Sequence, residues 1–209
     1  MSIDPATLAP PLAENAPTAL PVASPDTLDL LARRRSAKPF LLAEPAPSSA
    51  QLDAILRLAS HTPDHGKLTP WRFIVFEGEA RERAGAALAD VMAKTGDATE
   101  ETLKATRETF ARAPLVVAVV ANIKGNFKVP EWEQVLAVGA VSYAVLIAAH
   151  AFGFGGVWLT GWPTYNADAR VVLGLKPEEQ LAAVIHLGTQ TETQPERVRP
   201  DMASIVTRY

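Results

Sequence analysis

The stretch LAVGAVSYAVLIAAHAFGFGGVWL, residues 136–159, decides the fold, because none of its 24 residues is Asp, Glu, Lys or Arg. Its length alone permits a membrane span, since about 20 apolar residues cross a bilayer. The other interpretations are a core helix and a dimer seam. The glycine cluster within 153–156 favours a helix that ends near Phe152, followed by a short strand over 157–160. We therefore predict a buried helix of a soluble protein.

The composition of the 209-residue chain is that of a globular protein, with 48% hydrophobic residues, 21% charged residues and a net charge of -3. This length suits one domain with a substantial core. The one short basic run is too small to follow a nucleic acid backbone. The absence of cysteine excludes disulfides, thiolate nucleophiles and iron–sulfur clusters. No Lys or Arg occurs in the first 32 residues, so no secretory or transit signal is expected and the predicted compartment is the cytoplasm.

The order of the predicted elements indicates an α+β fold with a helix-rich shell. Residues 1–24 hold five of the 17 prolines, and we predict a flexible tail there and a single domain over 25–209. Ser24 and Pro25 are expected to begin the first helix, and Ser48 or Ser49 the second. The other predicted elements are a strand at 71–76, helices at 79–94 and 99–112, a buried strand at 115–121, the long helix opened by Pro130, the strand at 157–160, a helix capped by Asn166 and a buried strand at 181–187.

A basic segment, Arg34-Arg35-Ser36-Ala37-Lys38, lies at the end of the first predicted helix. Two guanidinium groups, a hydroxyl and an ammonium can hold a phosphate dianion through charge-assisted hydrogen bonds. A solvated basic turn is the alternative, because cations are common at helix ends.

The loop at 61–70, HTPDHGKLTP, places His61 and His65 four residues apart. A metal site of the H-E-x-x-H kind needs both histidines on one helix face, and Pro63 disfavours a continuous helix between them. No metal is therefore expected. The remaining interpretations are hydrogen-bond donors to an anionic ligand and ordinary polar loop residues.

The glycine-rich segment at 153–161, GFGGVWLTG, is not a dinucleotide fingerprint, because its glycines follow a helix and open a strand. Small residues there can let the backbone approach a planar ring, with Thr160 as a polar contact. The alternative is a tight turn between helix and strand. No Walker loop or nucleophile elbow is present, and His150, inside the apolar helix, is interpreted as a core histidine.

Five motifs in order give a resemblance to the nitroreductase family of flavoproteins over about residues 29–188. They are RRSAKPF (34–40), PDHGKLTPWRFIVFEG (63–78), RAPLVVAVVA (112–121), KVPEWEQ (128–134) and GFGGVWLTG (153–161). The resemblance is strongest to the small members of that family. It implies an α+β sandwich with a mostly antiparallel sheet, assembled as a homodimer that binds FMN noncovalently at two interface sites.

The resemblance also implies roles for individual residues. Arg34, Arg35 and Ser36 match positions that hold the FMN phosphate and ribityl chain, and Lys38 matches a residue near the N1–O2 edge of the flavin. His61 and His65 match loop contacts to the partner subunit's cofactor. Positions that line the isoalloxazine ring are matched by Trp158, Leu159 and Thr160. Positions near the nicotinamide of the electron donor are matched by Ala148, Ala149, His150, Ala151, Phe152 and Gly153.

The function that the resemblance implies is an FMN-dependent oxidoreductase that passes a hydride from NADH or NADPH, through the flavin, to an electron-poor acceptor such as a nitroaromatic or a quinone. The cofactor carries this chemistry, so no side-chain nucleophile or acid is nominated. The rivals are a flavin-binding protein without turnover and a helical dimerisation module. Neither a nucleic acid nor a membrane is expected as a partner.

Overall fold

The computed structural model describes residues 3–125 and 128–209, and in this part of the chain five strands form one antiparallel sheet. The strands are β1 (Leu42–Ala43), β2 (Trp71–Glu77), β3 (Leu115–Ala121), β4 (Gly155–Leu159) and β5 (Gln180–Gln190). The longest strand, β5, pairs with β1, β3 and β4, and β2 pairs with β3. The predicted α+β class with an antiparallel sheet is confirmed.

Eight α-helices surround this sheet in the described ranges. They are α1 (Pro25–Arg33), α2 (Ser49–Ala59), α3 (Glu79–Ala93), α4 (Glu100–Arg107), α5 (Glu131–Ala151), α6 (Trp162–Tyr165), α7 (Ala167–Val172) and α8 (Met202–Ile205). The predicted caps are confirmed: the Ser24 hydroxyl accepts a hydrogen bond from the Thr27 N–H at 3.4 Å, and Ser48 accepts one from Gln51 at 3.3 Å.

The structure differs from the predicted elements where those elements are short or end in turns. β1, α6 and α8 have two to four residues, which is too short to leave a hydrophobic period in the sequence. α4 ends at Arg107 and not near residue 112, because tight turns follow it. β5 continues past Leu187, since Thr189 and Gln190 pair with β1.

Strand β3 is buried on both faces, as its apolar sequence predicts. All seven of its residues are buried. Val117 and Val119 belong to the core that α2 and α5 cover, whereas Val116 and Val120 belong to the core beneath α3 and α7. The sheet therefore lies between two helical layers.

Helix α5 is shared between the core and the molecular surface. By length and composition it could span a bilayer, but half of its most apolar 18-residue window is buried in the protein. Its buried Gln134 accepts a hydrogen bond from the Lys124 N–H at 2.9 Å and donates one to the Lys124 carbonyl at 2.8 Å. Elsewhere on the helix, Trp132, Leu136 and Tyr143 form an exposed apolar stripe.

The turn after α5 explains the glycines of the segment at 153–161. Gly153 has φ +90°, and the Phe154 N–H donates to the Ala149 carbonyl at 3.0 Å, which is the hydrogen-bond pattern of a Schellman helix end. A Cβ on Gly155 would lie 2.8 Å from the Leu42 side chain, and one on Gly156 would lie 2.8 Å from Leu187. The tight-turn interpretation therefore accounts for these glycines through packing within the protein.

An ion pair at the edge of the sheet joins β2 to the start of β5. Arg72 donates from Nε and Nη2 to the two carboxylate oxygens of Glu179 at 2.7 and 2.6 Å, and the Lys176 N–H donates to the same carboxylate at 2.8 Å. Glu179 is 1% exposed. The hydrogen bonds from Arg72 are the main reason that the pKa of Glu179 is lowered to about 2.

The beginning of the chain contacts the domain. Leu8 packs against the core that α2 and α5 share, and Gln51 donates to the Ile3 carbonyl at 3.3 Å. The flexibility of residues 1–24 and the domain boundary at residue 25 remain predictions.

Candidate functional site

The basic segment at 34–38 lies beside the start of β4. The Ala37 N–H donates to the Gly156 carbonyl at 3.0 Å, and the buried Ala37 side chain packs with Leu42 and Val157. The Arg35 carbonyl lies 3.1 Å from Nε2 of His150, in the last turn of α5. These contacts bring the arginines of the first helix end to the carboxyl end of the long apolar helix.

A cavity of about 330 Å³ opens at this point. Leu30, the three consecutive arginines, His150 and polar residues of the segment at 190–194 line it. The Nη1 atom of Arg34 is buried and has no hydrogen-bond partner among the described residues, although the guanidinium carbon lies 5.8 Å from the centre of the Tyr143 ring. A buried cationic donor without a partner is costly unless an acceptor binds to it. An anion that enters this cavity could therefore accept a hydrogen bond from Arg34.

Arg35 is engaged within the protein. Its Nη1 atom donates to the Pro195 carbonyl at 2.6 Å and to Glu196 at 3.1 Å, and the same carboxylate oxygen lies 3.0 Å from Arg199. The Ser36 carbonyl accepts a hydrogen bond from Gln194 at 3.2 Å. No local pattern predicts these contacts, because the residues that meet are about 160 positions apart. Gln194 also lines the cavity, so residues that follow β5 contribute to the site.

Lys38, the last cation of the basic segment, is exposed on the surface. Its ammonium nitrogen lies 5.7 Å from the centre of the Phe40 ring. The proposed contact of Lys38 with the N1–O2 edge of a flavin remains a prediction.

His150 lies at the boundary between core and cavity. Its Nδ1 atom is 2.7 Å from the Leu146 carbonyl, and Nε2 is 3.1 Å from the Arg35 carbonyl. Burial is the main cause of a lowered pKa, the Arg34 charge lowers it further, and the two carbonyls act in the opposite direction. His150 is thus both a partly buried histidine, as the apolar pattern indicates, and part of the cavity wall.

The other residues predicted to lie near a nicotinamide divide into two groups. Ala148, Ala149 and Phe152 are buried in the core beneath α5, so their side chains do not face the surface. Ala151 and Gly153 are exposed. The proposed donor contact of this segment remains a prediction.

A second cavity, of about 410 Å³, lies at the other end of β4. Trp158 and Thr160 line it, together with apolar residues of α5 and of strands β3 and β5. Among the described residues, no Asp, Glu, Lys, Arg or His contributes to its lining. Leu159 lines a different, smaller cavity of about 230 Å³ that also includes Thr160. β4 extends about 13 Å between its first and last residues. It therefore connects the arginine cavity with the uncharged cavity at Trp158 and Thr160.

His65 lies at the far end of α5 from the arginine cavity, and His61 is exposed earlier in the same loop. Nδ1 of His65 is 2.6 Å from a carboxylate oxygen of Glu133, in the first turn of that helix, and both side chains are exposed. Glu133 and His150 are separated along α5 by about 26 Å, at 1.5 Å per residue. A single chain therefore does not bring His65 to the arginine cavity, and the proposed cofactor contact of His61 remains a prediction.

Among the described residues, including this loop, no group of three or more His, Cys, Asp or Glu side chains could hold a metal ion.

The sequence model of the nitroreductase family matches residues 31–189. The chain belongs to the nitroreductase family. The matched part includes the three consecutive arginines, His150, Trp158 and Thr160. The segment at 194–199, which binds Arg35, lies outside the part matched to the family.

Two curated relatives, each named "Putative NAD(P)H nitroreductase", share much of the sequence. YdjA of Escherichia coli strain K12 is 40% identical over 185 residues, which are 88% of this chain and 100% of the relative. A protein of Haemophilus influenzae is 38% identical over 168 residues, covering 80% of this chain and 90% of the relative.

Solved structures of nitroreductase-like proteins share the fold. A family member from Bacillus cereus matches with a TM-score of 0.74 at 20% identity, covering 91% of this chain and 99% of that one. A structure of the FMN and NADPH-dependent nitroreductase NfnB matches with a TM-score of 0.66 at 21% identity, covering 88% of this chain and 98% of that one. The α+β sandwich predicted from the resemblance is therefore confirmed.

Proposed function

We propose that this chain is an FMN-dependent oxidoreductase that passes a hydride from NADH or NADPH to an electron-poor acceptor. The observation that carries the proposal is Arg34, which lines the cavity and whose buried Nη1 atom lacks a partner among the described residues. A phosphate group is the anion that fits a guanidinium fork best. The names of the curated relatives and of NfnB point to the same cofactors and activity.

The residues of the chain fit FMN at both ends of β4. Arg34 would hold the phosphate, with the Ser36 hydroxyl as an additional donor, and Trp158 and Thr160 would line the flavin ring. FMN supplies the ring that accepts and donates the hydride. The protein binds and orients the cofactor, and the apolar side chains around the second cavity exclude water from the reacting face.

We infer that the working unit is a homodimer with two shared sites. His65 and the arginine cavity lie at opposite ends of α5, about 26 Å apart, so a second subunit is needed to place both at one cofactor. The exposed stripe of Trp132, Leu136 and Tyr143 offers an apolar face of α5 for that contact. A soluble NAD(P)H-dependent enzyme of this kind belongs in the cytoplasm, where its electron donors are.

The proposal is tested by loading the purified protein with FMN and mixing it anaerobically with NADH or NADPH. Loss of the yellow flavin absorption is expected with at least one donor, and sedimentation is expected to give a dimer. A protein that binds FMN but is bleached by neither donor supports the rival flavin-binding protein without turnover. Failure to bind FMN excludes the flavin function altogether, and a flavin-loaded monomer excludes the shared site.

We expect neutral acceptors to be reduced in preference to charged ones. The cavity at Trp158 and Thr160 presents only uncharged side chains within the described ranges, and transferring a charged group into such surroundings without a partner is unfavourable. We expect kcat/KM for nitrobenzene to be at least about 10-fold higher than for 4-nitrobenzoate. This ratio corresponds to a difference of about 1.4 kcal/mol in activation free energy. Reduction of both compounds by free reduced FMN corrects for their intrinsic reactivity. Equal corrected values would contradict this assignment of the acceptor site.

A further inference from the structure

The imidazole of His150 lies between two backbone carbonyl groups. Nδ1 is 2.7 Å from the Leu146 oxygen, and Nε2 is 3.1 Å from the Arg35 oxygen. A neutral imidazole carries only one N–H, so it can donate to one carbonyl and must turn a nitrogen lone pair towards the other. The imidazolium ion donates to both. The geometry around this ring is therefore complementary to its protonated form.

The charges around His150 oppose protonation while the cavity holds no anion. Arg33, Arg34 and Arg35 line the same cavity, and burial together with the Arg34 charge lowers the pKa of His150. The nearby carboxylates are already paired, since Asp29 binds Arg33 within α1 and Glu196 binds Arg35 from the C-terminal segment. On its own helix, the ring of Tyr143 lies under the Arg34 guanidinium. Two carbonyls thus favour a protonated imidazole, which burial and the Arg34 charge disfavour.

An anion in the cavity reverses this balance. A phosphate dianion bound to Arg34 offsets the arginine charges, and a nearby negative charge favours the protonated state of a histidine. Both ring nitrogens can then donate. The bond to the Arg35 carbonyl connects this change to the backbone that carries Arg34 and Ser36.

We propose that His150 is a positioning residue that becomes protonated when the FMN phosphate binds, so that cofactor binding takes up a proton and fixes the backbone of the segment at 34–36. This inference rests on the proposed function, because it needs the phosphate of FMN in the arginine cavity. It adds a role for His150 that depends on the protonation state of the ring rather than on contact with the nicotinamide.

The test measures proton uptake by isothermal titration calorimetry of the apoprotein with FMN in buffers of different ionisation enthalpy. The FMN phosphate itself titrates near pH 6, so the informative quantity is the difference between the wild type and His150→Gln. Glutamine can still donate one hydrogen bond but does not titrate. Above about pH 6.5, the ordinary value below which burial holds the pKa of His150 in the free protein, we expect the wild type to take up more protons than the variant, by at most about one.

The coupling between proton uptake and FMN binding also sets how FMN affinity depends on pH. Because the bound form holds the proton, the FMN affinity of the wild type relative to that of His150→Gln is greatest below the pKa of His150 in the free protein. It falls as pH rises from that value to the pKa of His150 in the complex, by at most about 10-fold per pH unit. Riboflavin, which lacks the phosphate, is the matched ligand control and is expected to show no difference in proton uptake between the two proteins.

Equal proton uptake by wild type and variant would overturn the proposal. If His150→Gln does not fold, the nitrogen chemical shifts of the wild-type ring decide. One protonated nitrogen in the apoprotein and two in the FMN complex support the inference, and an unchanged number overturns it. A wild type that does not bind FMN at all contradicts the proposed function instead, which separates the two failures.

Discussion

Replacing Arg34 by alanine is expected to weaken FMN binding by about 10- to 100-fold, while riboflavin binding changes little. The loss corresponds to about 1.5–3 kcal/mol, the usual contribution of a hydrogen bond to a charged group. Arg34 is the arginine whose buried Nη1 atom lacks a partner among the described residues, so the phosphate is the group that loses an interaction. Fluorescence titration of the apoprotein with each ligand measures the effect.

Two other arginines serve as controls for Arg34→Ala. Arg83→Ala removes the same charge from an exposed pair with Glu79 on α3 and is expected to leave FMN affinity within about two-fold, since exposed pairs contribute little. Arg35→Ala is expected to have a smaller effect than Arg34→Ala, because Arg35 already binds Pro195 and Glu196. Equal losses of FMN and riboflavin affinity in Arg34→Ala would show that the phosphate lies elsewhere.

Replacing Arg72 by alanine is expected to lower the free energy of unfolding by about 2–4 kcal/mol. Removal of one partner of a buried pair leaves an uncompensated charge, at a cost of about 3–5 kcal/mol. We expect a smaller loss than that of a fully buried pair, because the Arg72 side chain is 36% exposed, whereas that of Glu179 is fully buried. Urea unfolding at neutral pH measures the loss. The double variant Arg72→Met with Glu179→Gln is expected to recover part of it, because no buried charge remains.

The same ion pair predicts how the stability difference depends on pH. Glu179 has a pKa of about 2 in the folded protein, below its ordinary value of 4.5. Its contribution is therefore complete above the ordinary value and is lost as pH falls from about 4.5 towards 2. The gap between the unfolding free energies of wild type and Arg72→Ala is expected to be smaller at about pH 3.5 than at about pH 6. A gap of constant size would mean that lost packing, not charge, causes the destabilisation.

Much of the fold follows from local patterns of residues. The uninterrupted apolar run of β3 predicts a strand buried on both faces, and Ser24, Ser48 and Asn166 each cap the expected helix. Gly153, which follows Phe152, predicts the end of α5, because glycine adopts a left-handed backbone conformation without strain. These features depend on neighbouring residues, so the sequence contains enough information to predict them.

Other features depend on residues that are distant in the chain. β1 is a strand only because two residues at the end of β5 pair with it, and Glu179 is paired only because β2 brings Arg72 to it. Arg34 and Arg35 are adjacent in sequence and similar in chemistry. Their different surroundings come from Glu196, about 160 residues away, which no local spacing reveals.

The candidate site was predictable in its residue types more than in its arrangement. The proposed phosphate-binding role of 34–36 follows from its cations, and Trp158 and Thr160 line a common cavity. The burial of Ala148, Ala149 and Phe152 depends on which face of α5 meets the sheet. An apolar helix with few polar positions gives little information about that orientation.

The directions of α1 and α5 have a further consequence for anion binding. Both helices reach the arginine cavity with their carboxyl ends, at Arg33 and Ala151, and these ends carry partial negative charge from the aligned peptide dipoles. Many nucleotide sites instead present the amino end of a helix, whose N–H groups attract phosphate. In this chain, side-chain cations oppose the unfavourable macrodipoles of two helix ends, so the proposed anion site depends on guanidinium groups and not on backbone N–H groups.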